Sequence, residues 1–254
     1  MPQVVEVHRK VRDNVGDMYC NPSRYFNLGD VSSEELLYNK TNLSNKTLVV
    51  GGGGLIHKKF SGHIETLISK NPTNTVLWAI GHNFGKRYFE KSQGKVYYPD
   101  WIDYCSLVGI RDWIDDYEKY YLPCVSCMHP AFDKTYKVRH DVVYFTHAFK
   151  TKFENKEVRP LITNKTTNFN NVIEFLGSSN TVVTDSYHGA YWAQLLGKNV
   201  QVASWSVKFN HMKYPPYFLN SINDSYKPVN NSVPGFLQEC REYNNNFYQK
   251  FLNL

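Results

Sequence analysis

Residues 181–197, TVVTDSYHGAYWAQLLG, decide how the rest of the chain is read. Thr181 to Thr184 are all β-branched, the composition of a short buried strand. Asp185 and Ser186 carry side-chain oxygens suited to capping free backbone N–H groups. Ala190, Ala193 and Leu196 continue at helical spacing, and Gly197 stands where a helix ends. The stretch predicts strand, tight turn and helix, with His188 at the helix start. Such a start offers unpaired N–H groups and a partial positive charge, so it favours an anion. The same residues would equally serve as a polar turn that only caps its own helix.

Working outward, residues 200–203 predict a short strand, and 204–218 an aromatic, basic loop with Lys208, His211 and Lys213. Residues 235–252 place Phe236, Leu237, Cys240, Tyr243, Phe247, Phe251 and Leu252 at near-helical spacing. That apolar face could cross back onto the first half, belong to the local core or make a dimer contact. Upstream, a helix is expected near 168–177 and a strand over 141–146 that ends at His147.

The N-terminal half shows the same alternation. Residues 3–8 predict the first strand, followed by a polar turn over 12–17 with Asn14 and Asp17. Ser32 or Ser33 looks like an N-cap with Glu34 and Glu35 in a first helical turn. Residues 47–50 predict a buried strand running into Gly51–Gly54, where backbone must bend sharply or approach something closely. This is neither a Walker loop nor a G-x-G-x-x-G motif. Gly52 and Gly53 are candidates to lie against phosphate or sugar, the alternative being a tight strand-to-helix turn. A helix over 61–70, a strand over 75–80 ending in Gly81-His82-Asn83, and a strand over 106–110 ending in Arg111-Asp112 follow. A helix containing Trp113 is expected next. Ligands bind open α/β sheets at the carboxyl ends of strands, which singles out His82, Asn83, Arg111 and His147. The histidines read equally as structural, and Arg111-Asp112 as a structural pair.

Strands alternating with helices in both halves imply parallel sheets, with polar strand ends facing a central cleft. Residues 123–140 have little periodicity and read as the hinge. The expected division is 1–130 for an N-terminal domain on the acceptor side, 131–234 for a C-terminal domain on the donor side, and 235–254 for the last helix.

Composition narrows the function. The 254 residues are 42% hydrophobic and 20% charged, a globular balance. No apolar run of 18 residues is present, so no membrane span is expected, and the first ten residues lack the apolar core of a secretory signal. A cytoplasmic protein is expected. A net charge of +6 suits an anionic substrate, while the dispersal of the basic residues argues against nucleic acid. Five cysteines, odd and sparse, argue against a disulfide framework. Cys124-Val-Ser-Cys127 lacks a second ligand pair for zinc, so buried thiols and no metal are expected. The N-x-[ST] triplets at Asn39, Asn42, Asn45, Asn164, Asn223 and Asn230 are not read as glycosylation sites.

In chain order, Asn14-Val15-Gly16-Asp17, Val49-Val50 with Gly51–Gly54, Gly109-Ile110-Arg111-Asp112, Thr184-Asp185-Ser186-Tyr187-His188-Gly189 and Leu196-Gly197-Lys198 together resemble the polysaccharide pyruvyl transferase family. The resemblance covers most of residues 4–203. It implies two Rossmann-like domains of the GT-B type with the active site between them. It further implies transfer of an enolpyruvyl-derived group from phosphoenolpyruvate to sugar hydroxyls, leaving a pyruvate ketal and phosphate. His188 matches the family histidine at the start of the C-domain helix, and Arg111 a basic residue in its R-D turn. The chain differs at Ser186, where many members carry Arg, and at His129-Pro130, where an Asp-Pro step is usual.

On this reading His188 is the acid/base, its ordinary pKa lying near neutrality, and Asp185 orients it or caps the helix. Arg111, Ser186, Tyr187, Gly189, Lys208 and Lys213 bind the donor, whose phosphate and carboxylate need several cationic or N–H partners. Asn14, Asp17, Gly52, Gly53, His82, Asn83 and His147 line the cleft toward the acceptor. Phosphoenolpyruvate is a substrate, and no cofactor is called for; the partners are this phosphate donor and a glycan acceptor. The alternatives are a GT-B glycosyltransferase using a nucleotide sugar, or a non-catalytic relative.

Overall fold

The computed structural model describes residues 3–11, 13–38, 40–85, 96, 98–150 and 160–254. Arg12 of the first polar turn and Asn39 of the first N-x-[ST] triplet lie outside the described residues.

Short runs of β-branched residues build two parallel sheets. The first contains β1 (Val4–His8), β2 (Val31–Glu35), β3 (Thr47–Val50), β4 (Gly53–Ile56), β5 (Asn74–His82) and β6 (Leu107–Ile110). Strand β1 lies between β2 and β3; β3 and then β4 follow one edge of β5, and β6 takes its other edge. The second contains β7 (His140–Thr146), β8 (Leu161–Thr163), β9 (Ser179–Thr184), β10 (Asn199–Val202) and β11 (Tyr217–Phe218). Its order is β11-β10-β9-β7-β8. Both sheets therefore start on an inner strand, add one neighbour, and then cross to the other side. That is a doubly wound, Rossmann-like order with a switch point between its first and third strands.

Period-two alternation gives each sheet two buried faces. In the first, Val5, Val7, Leu48, Val50 and Leu77 share a core with Ile64 and Leu67 of α2 (Lys58–Ile68). The opposite face, Val4, Val49, Val76 and Trp78, packs on Phe247 and Phe251 of the C-terminal helix. In the second sheet, Val143, Phe145, Val182 and Val200 pack with α3 (Phe169–Gly177) and α4 (Tyr187–Leu195). The C-terminal helix α5 (Phe236–Leu252) belongs to both cores: Phe236 and Cys240 join the second, Phe247 and Phe251 the first. Its Asn244 accepts from the Trp78 indole at 3.0 Å and donates to the Pro123 carbonyl at 3.1 Å. Of the roles open to this helix, two are observed together: its first half belongs to the local core and its second half crosses back onto the first sheet.

The opening stretch folds as strand, turn and helix, with Gly197 in the left-handed region (φ +66°). Three local expectations are corrected. Residues 31–35 are an edge strand, not a helix start, because in-register pairing from Val4–Val31 to His8–Glu35 outweighs their capping propensity. Gly53 and Gly54 are not a strand-to-helix turn; they begin β4. The φ of +115° at Gly53 lets the chain return to the edge of β5 it had just left. Trp113 is not helical: its N–H bonds the His211 carbonyl at 2.8 Å, and only a 3-10 segment, Asp115–Tyr120, follows. The aperiodic connector is packed rather than loose, with Cys124, Val125, Cys127, Ala131 and Phe132 all buried. Among the described residues no helix is long and apolar enough to cross a membrane.

Candidate active site

The carboxyl ends of the two sheets meet at one cavity of about 190 Å³. From the first sheet it is bordered by Arg9 after β1, by Asn14 and Asp17 around the short helix α1 (Val15–Met18), by Asn83 after β5 and by Arg111 after β6. From the second it is bordered by His147 after β7, Asn164 after β8, Ser186, Tyr187 and His188 after β9, and Trp205 and Lys208 after β10. Each switch point contributes to the same space. That is where ligands gather in doubly wound sheets.

Direct bonds join the two sides. Asn14 caps α1 by accepting from the Gly16 N–H at 3.1 Å and donates to Asp17 at 2.9 Å. Asn164 in turn donates to Asn14 at 3.3 Å, and its carbonyl receives the Val15 N–H at 3.1 Å. Across the sheets, Ser206 donates to the Phe84 carbonyl at 2.7 Å.

Two cations dominate the cavity. Arg111 is 3% exposed, and its guanidinium lies 3.9 Å over the Tyr187 ring. Lys208 is 7% exposed, with its ammonium 4.1 Å from the Trp205 ring centre. Among the described residues neither forms an ion pair, whereas Arg9 holds Glu35 at 2.7 Å and Lys213 holds Glu239 at 2.6 Å. Buried charge without a partner is costly, so two such groups in one cavity make a seat for an anion. Burial, reinforced by Arg111, lowers the Lys208 pKa to about 7, against the pull of Asp185 and Asp17. Asp17 moves the other way. Burial raises its pKa to about 6 despite Arg9, Arg111 and Lys208. Helix α4 starts at the same wall, with Ser186 as its N-cap bonding Gly189.

His188 borders the cavity from inside the protein. It is 8% exposed, stacks on Trp192 with ring centres 5.2 Å apart, and sets Nε2 3.7 Å from Cys124 Sγ. Its Nδ1 faces Gly16, where a Cβ would stand only 2.2 Å away; a glycine is required there for the two sheets to approach. Burial, then the charges of Arg111 and Lys208, hold its pKa well below the usual histidine value. The imidazole is neutral at physiological pH.

Of the residues singled out from sequence, Asn14, Asp17, Asn83, Arg111, His147, Ser186, Tyr187, His188 and Lys208 come together at this cavity. Others lie elsewhere. Asp185 accepts the His147 N–H at 2.7 Å and so braces the loop after β7. Gly189 sits within α4 against Phe145 and Thr184, and Gly52 packs on Cys20. Gly53 lies in β4 beside Cys20 and Leu55. Lys213 is held over Trp113 by Glu239. His82 is fully buried, 2.8 Å from Asp112. Burial raises the Asp112 pKa, but the His82 bonds and charge, with Arg111, outweigh it and hold the carboxyl below its ordinary value. Asp112 is therefore the partner of His82, not of Arg111.

Sequence reasoning missed Arg9, Phe60, Asn164 and Trp205. Arg9 and Asn164 directly follow strands and could have been found by the strand-end rule; Phe60 and Trp205 carry no such signal. Among the described residues no group of His, Cys, Asp or Glu is placed to hold a metal ion.

No family profile matches this chain, and no curated protein matches it. Among solved structures, an uncharacterized protein from Klebsiella pneumoniae subsp. pneumoniae NTUH-K2044 is 18% identical, over 79% of this chain and 82% of that one, with a TM-score of 0.48.

Proposed function

We propose that the chain is a transferase that moves a pyruvyl group from phosphoenolpyruvate to two hydroxyls of a sugar in a glycan. The observation that carries this reading is the pair of buried cations, Arg111 and Lys208, at the start of α4 and without ion-pair partners among the described residues. Phosphoenolpyruvate brings a phosphate and a carboxylate, and so fills a seat of two cations and helix N–H groups. Size favours it over the runner-up, a nucleotide sugar. The cavity of about 190 Å³ falls below the roughly 300–1,000 Å³ usual for drug-sized ligands. In this reading residues 1–130 and 131–234 act as two Rossmann-like domains of the GT-B type, with residues 235–254 strapping them together.

The chemistry follows from the pKa values. A proton must reach the methylene carbon, and Asp17, near 6, retains a protonated fraction at neutral pH. As that C–H bond forms, C2 becomes electron-poor and a sugar hydroxyl oxygen bonds to it, releasing its proton to restore Asp17. The C2–O bond to phosphate then breaks, Arg111 and Lys208 taking up the charge of the leaving group. The second hydroxyl bonds C2 and its proton departs with the phosphate. His188, neutral, contributes hydrogen bonding rather than the proton of an imidazolium.

Phosphate release from phosphoenolpyruvate across a panel of glycan acceptors tests the assignment. Thermal shift should show stabilisation following RT ln(1 + [L]/Kd) with phosphoenolpyruvate and none with UDP or CMP sugars. Stabilisation by a nucleotide sugar alone would transfer the assignment to the glycosyltransferase reading. Phosphoenolpyruvate binding without turnover on any acceptor would favour a non-catalytic relative.

A further inference from the structure

We infer that Cys124 is a positioning residue that fixes His188 in the Nδ1–H form, so that the imidazole meets its ligand as a neutral hydrogen-bond donor. The inference follows from the direction of a buried chain of bonds. The Trp192 indole N–H donates to Ser126 Oγ at 2.9 Å, and an indole can only donate. The Ser126 hydroxyl hydrogen is thereby free to point onward, and Cys124 Sγ lies 3.3 Å from that oxygen. With Ser126 donating to sulfur, the thiol hydrogen is directed to its other neighbour, His188 Nε2, at 3.7 Å. A neutral imidazole whose Nε2 accepts must carry its proton on Nδ1.

The surroundings keep this arrangement. Burial raises the Cys124 pKa against the opposing Ser126 bonds, so the sulfur keeps its hydrogen to give. The Tyr191 hydroxyl donates to the Cys124 carbonyl at 2.8 Å, fixing the backbone that carries the thiol. On the other side of the ring, Nδ1 lies against Gly16; Asn14 and Asp17, close to it in the sequence, border the cavity, as His188 itself does. A neutral N–H pointed at a developing negative charge stabilises it without a proton changing hands. Cys124 thus has work beyond filling the core. The tautomer rests on the bond chain alone; its value for catalysis rests on the pyruvyl-transfer reading above.

Two-bond proton–nitrogen NMR of the ligand-free protein, with imidazole nitrogens labelled, reads the tautomer directly. The His188 signal is the one lost in His188→Asn. We expect the Nδ1–H pattern in the wild type, the same pattern in Cys124→Ser, and a shift toward Nε2–H in Cys124→Ala and in Ser126→Ala. An Nε2–H or doubly protonated ring in the wild type, or a tautomer unmoved by Cys124→Ala, would overturn the inference. This measurement needs no substrate, so it can succeed where the transfer assay fails. With inorganic phosphate as probe, His188→Asn, whose amide nitrogen stands near the place of Nδ1, should bind at least tenfold more tightly than His188→Gln. Equal affinities would remove the donor role.

Discussion

Two histidines follow from the two sheets, His82 at the end of β5 and His188 just beyond β9, and they have opposite fates. His82 is sealed from solvent and bonded to the Asp112 carboxylate at 2.8 Å. His188 borders the cavity, and its neighbour is a thiol at 3.7 Å. A buried carboxylate gives an imidazole a strong partner and ties it into the structure; a thiol gives only a weak bond, and it is burial with the charges of Arg111 and Lys208 that keeps the His188 ring neutral. The sequence context of both is polar. What separates them is what packs beside each ring: the neighbouring strand β6 of its own sheet supplies His82 with a carboxylate, whereas His188 meets the cations Arg111 and Lys208.

The sharpest way to break this comparison is to delete the His188 ring and, at the other site, the carboxylate that holds His82. His188→Ala should keep the fold and lower transfer by about 10²–10³-fold, the usual loss on removing a preorganised hydrogen-bond donor. Unchanged turnover in a folded variant would end the assignment. Removing the other pair's carboxylate, Asp112→Ala, leaves the buried backbone N–H of His82 without its acceptor and should instead destabilise the protein by about 1–3 kcal/mol in urea unfolding. A loss below about 1 kcal/mol would show that the pair is not the anchor described here. Gly16→Ala pushes a methyl into the space of His188 Nδ1 and should cost about 1–3 kcal/mol as overpacking. Wild-type stability in that variant would mean the sheets do not meet at this point.

A finer test uses pH, with sulfate as an anion that does not titrate near neutrality. Asp17 is neutral below about 6 and Lys208 charged below about 7, so both favour the anion at low pH. Affinity should fall as pH rises through 6 and then 7, by up to about tenfold per pH unit for each proton linked. Lys208→Arg, always charged, should remove the fall near 7 and leave the one near 6. A flat wild-type profile would show that neither group touches the anion. The smallest effect is expected away from the cavity. Breaking the partly exposed Lys213–Glu239 pair by Glu239→Gln should change stability by less than about 1 kcal/mol and leave sulfate binding alone.

Much of the architecture was legible in the chain itself. Runs of β-branched residues ending in polar ones marked β1, β3, β5, β6, β7, β9 and β10, because a strand buried on both faces must be continuously apolar and its end must turn polar to meet solvent or ligand. Strand β2 was not legible. Val31-Ser-Ser-Glu-Glu35 has the local chemistry of a helix cap, and only pairing with β1 makes it a strand. The CxxC pair likewise looked inert until the fold set Cys124 beside His188.

What the sequence by itself determined is the alternation of strands and helices, two parallel sheets, and the set of polar strand ends from which the cavity residues are drawn. Periodicity and capping are local, and local chemistry suffices to specify them. Only the tertiary structure decided which of those ends face one another, which cations keep no carboxylate among the described residues, and that one histidine is sealed while the other borders the cavity. Those outcomes depend on groups far apart in the sequence, 30 residues for His82 with Asp112, 64 for Cys124 with His188 and 150 for Asn14 with Asn164. No local pattern encodes them, because the free energy of a charge or a buried polar group is set by what the rest of the chain packs against it.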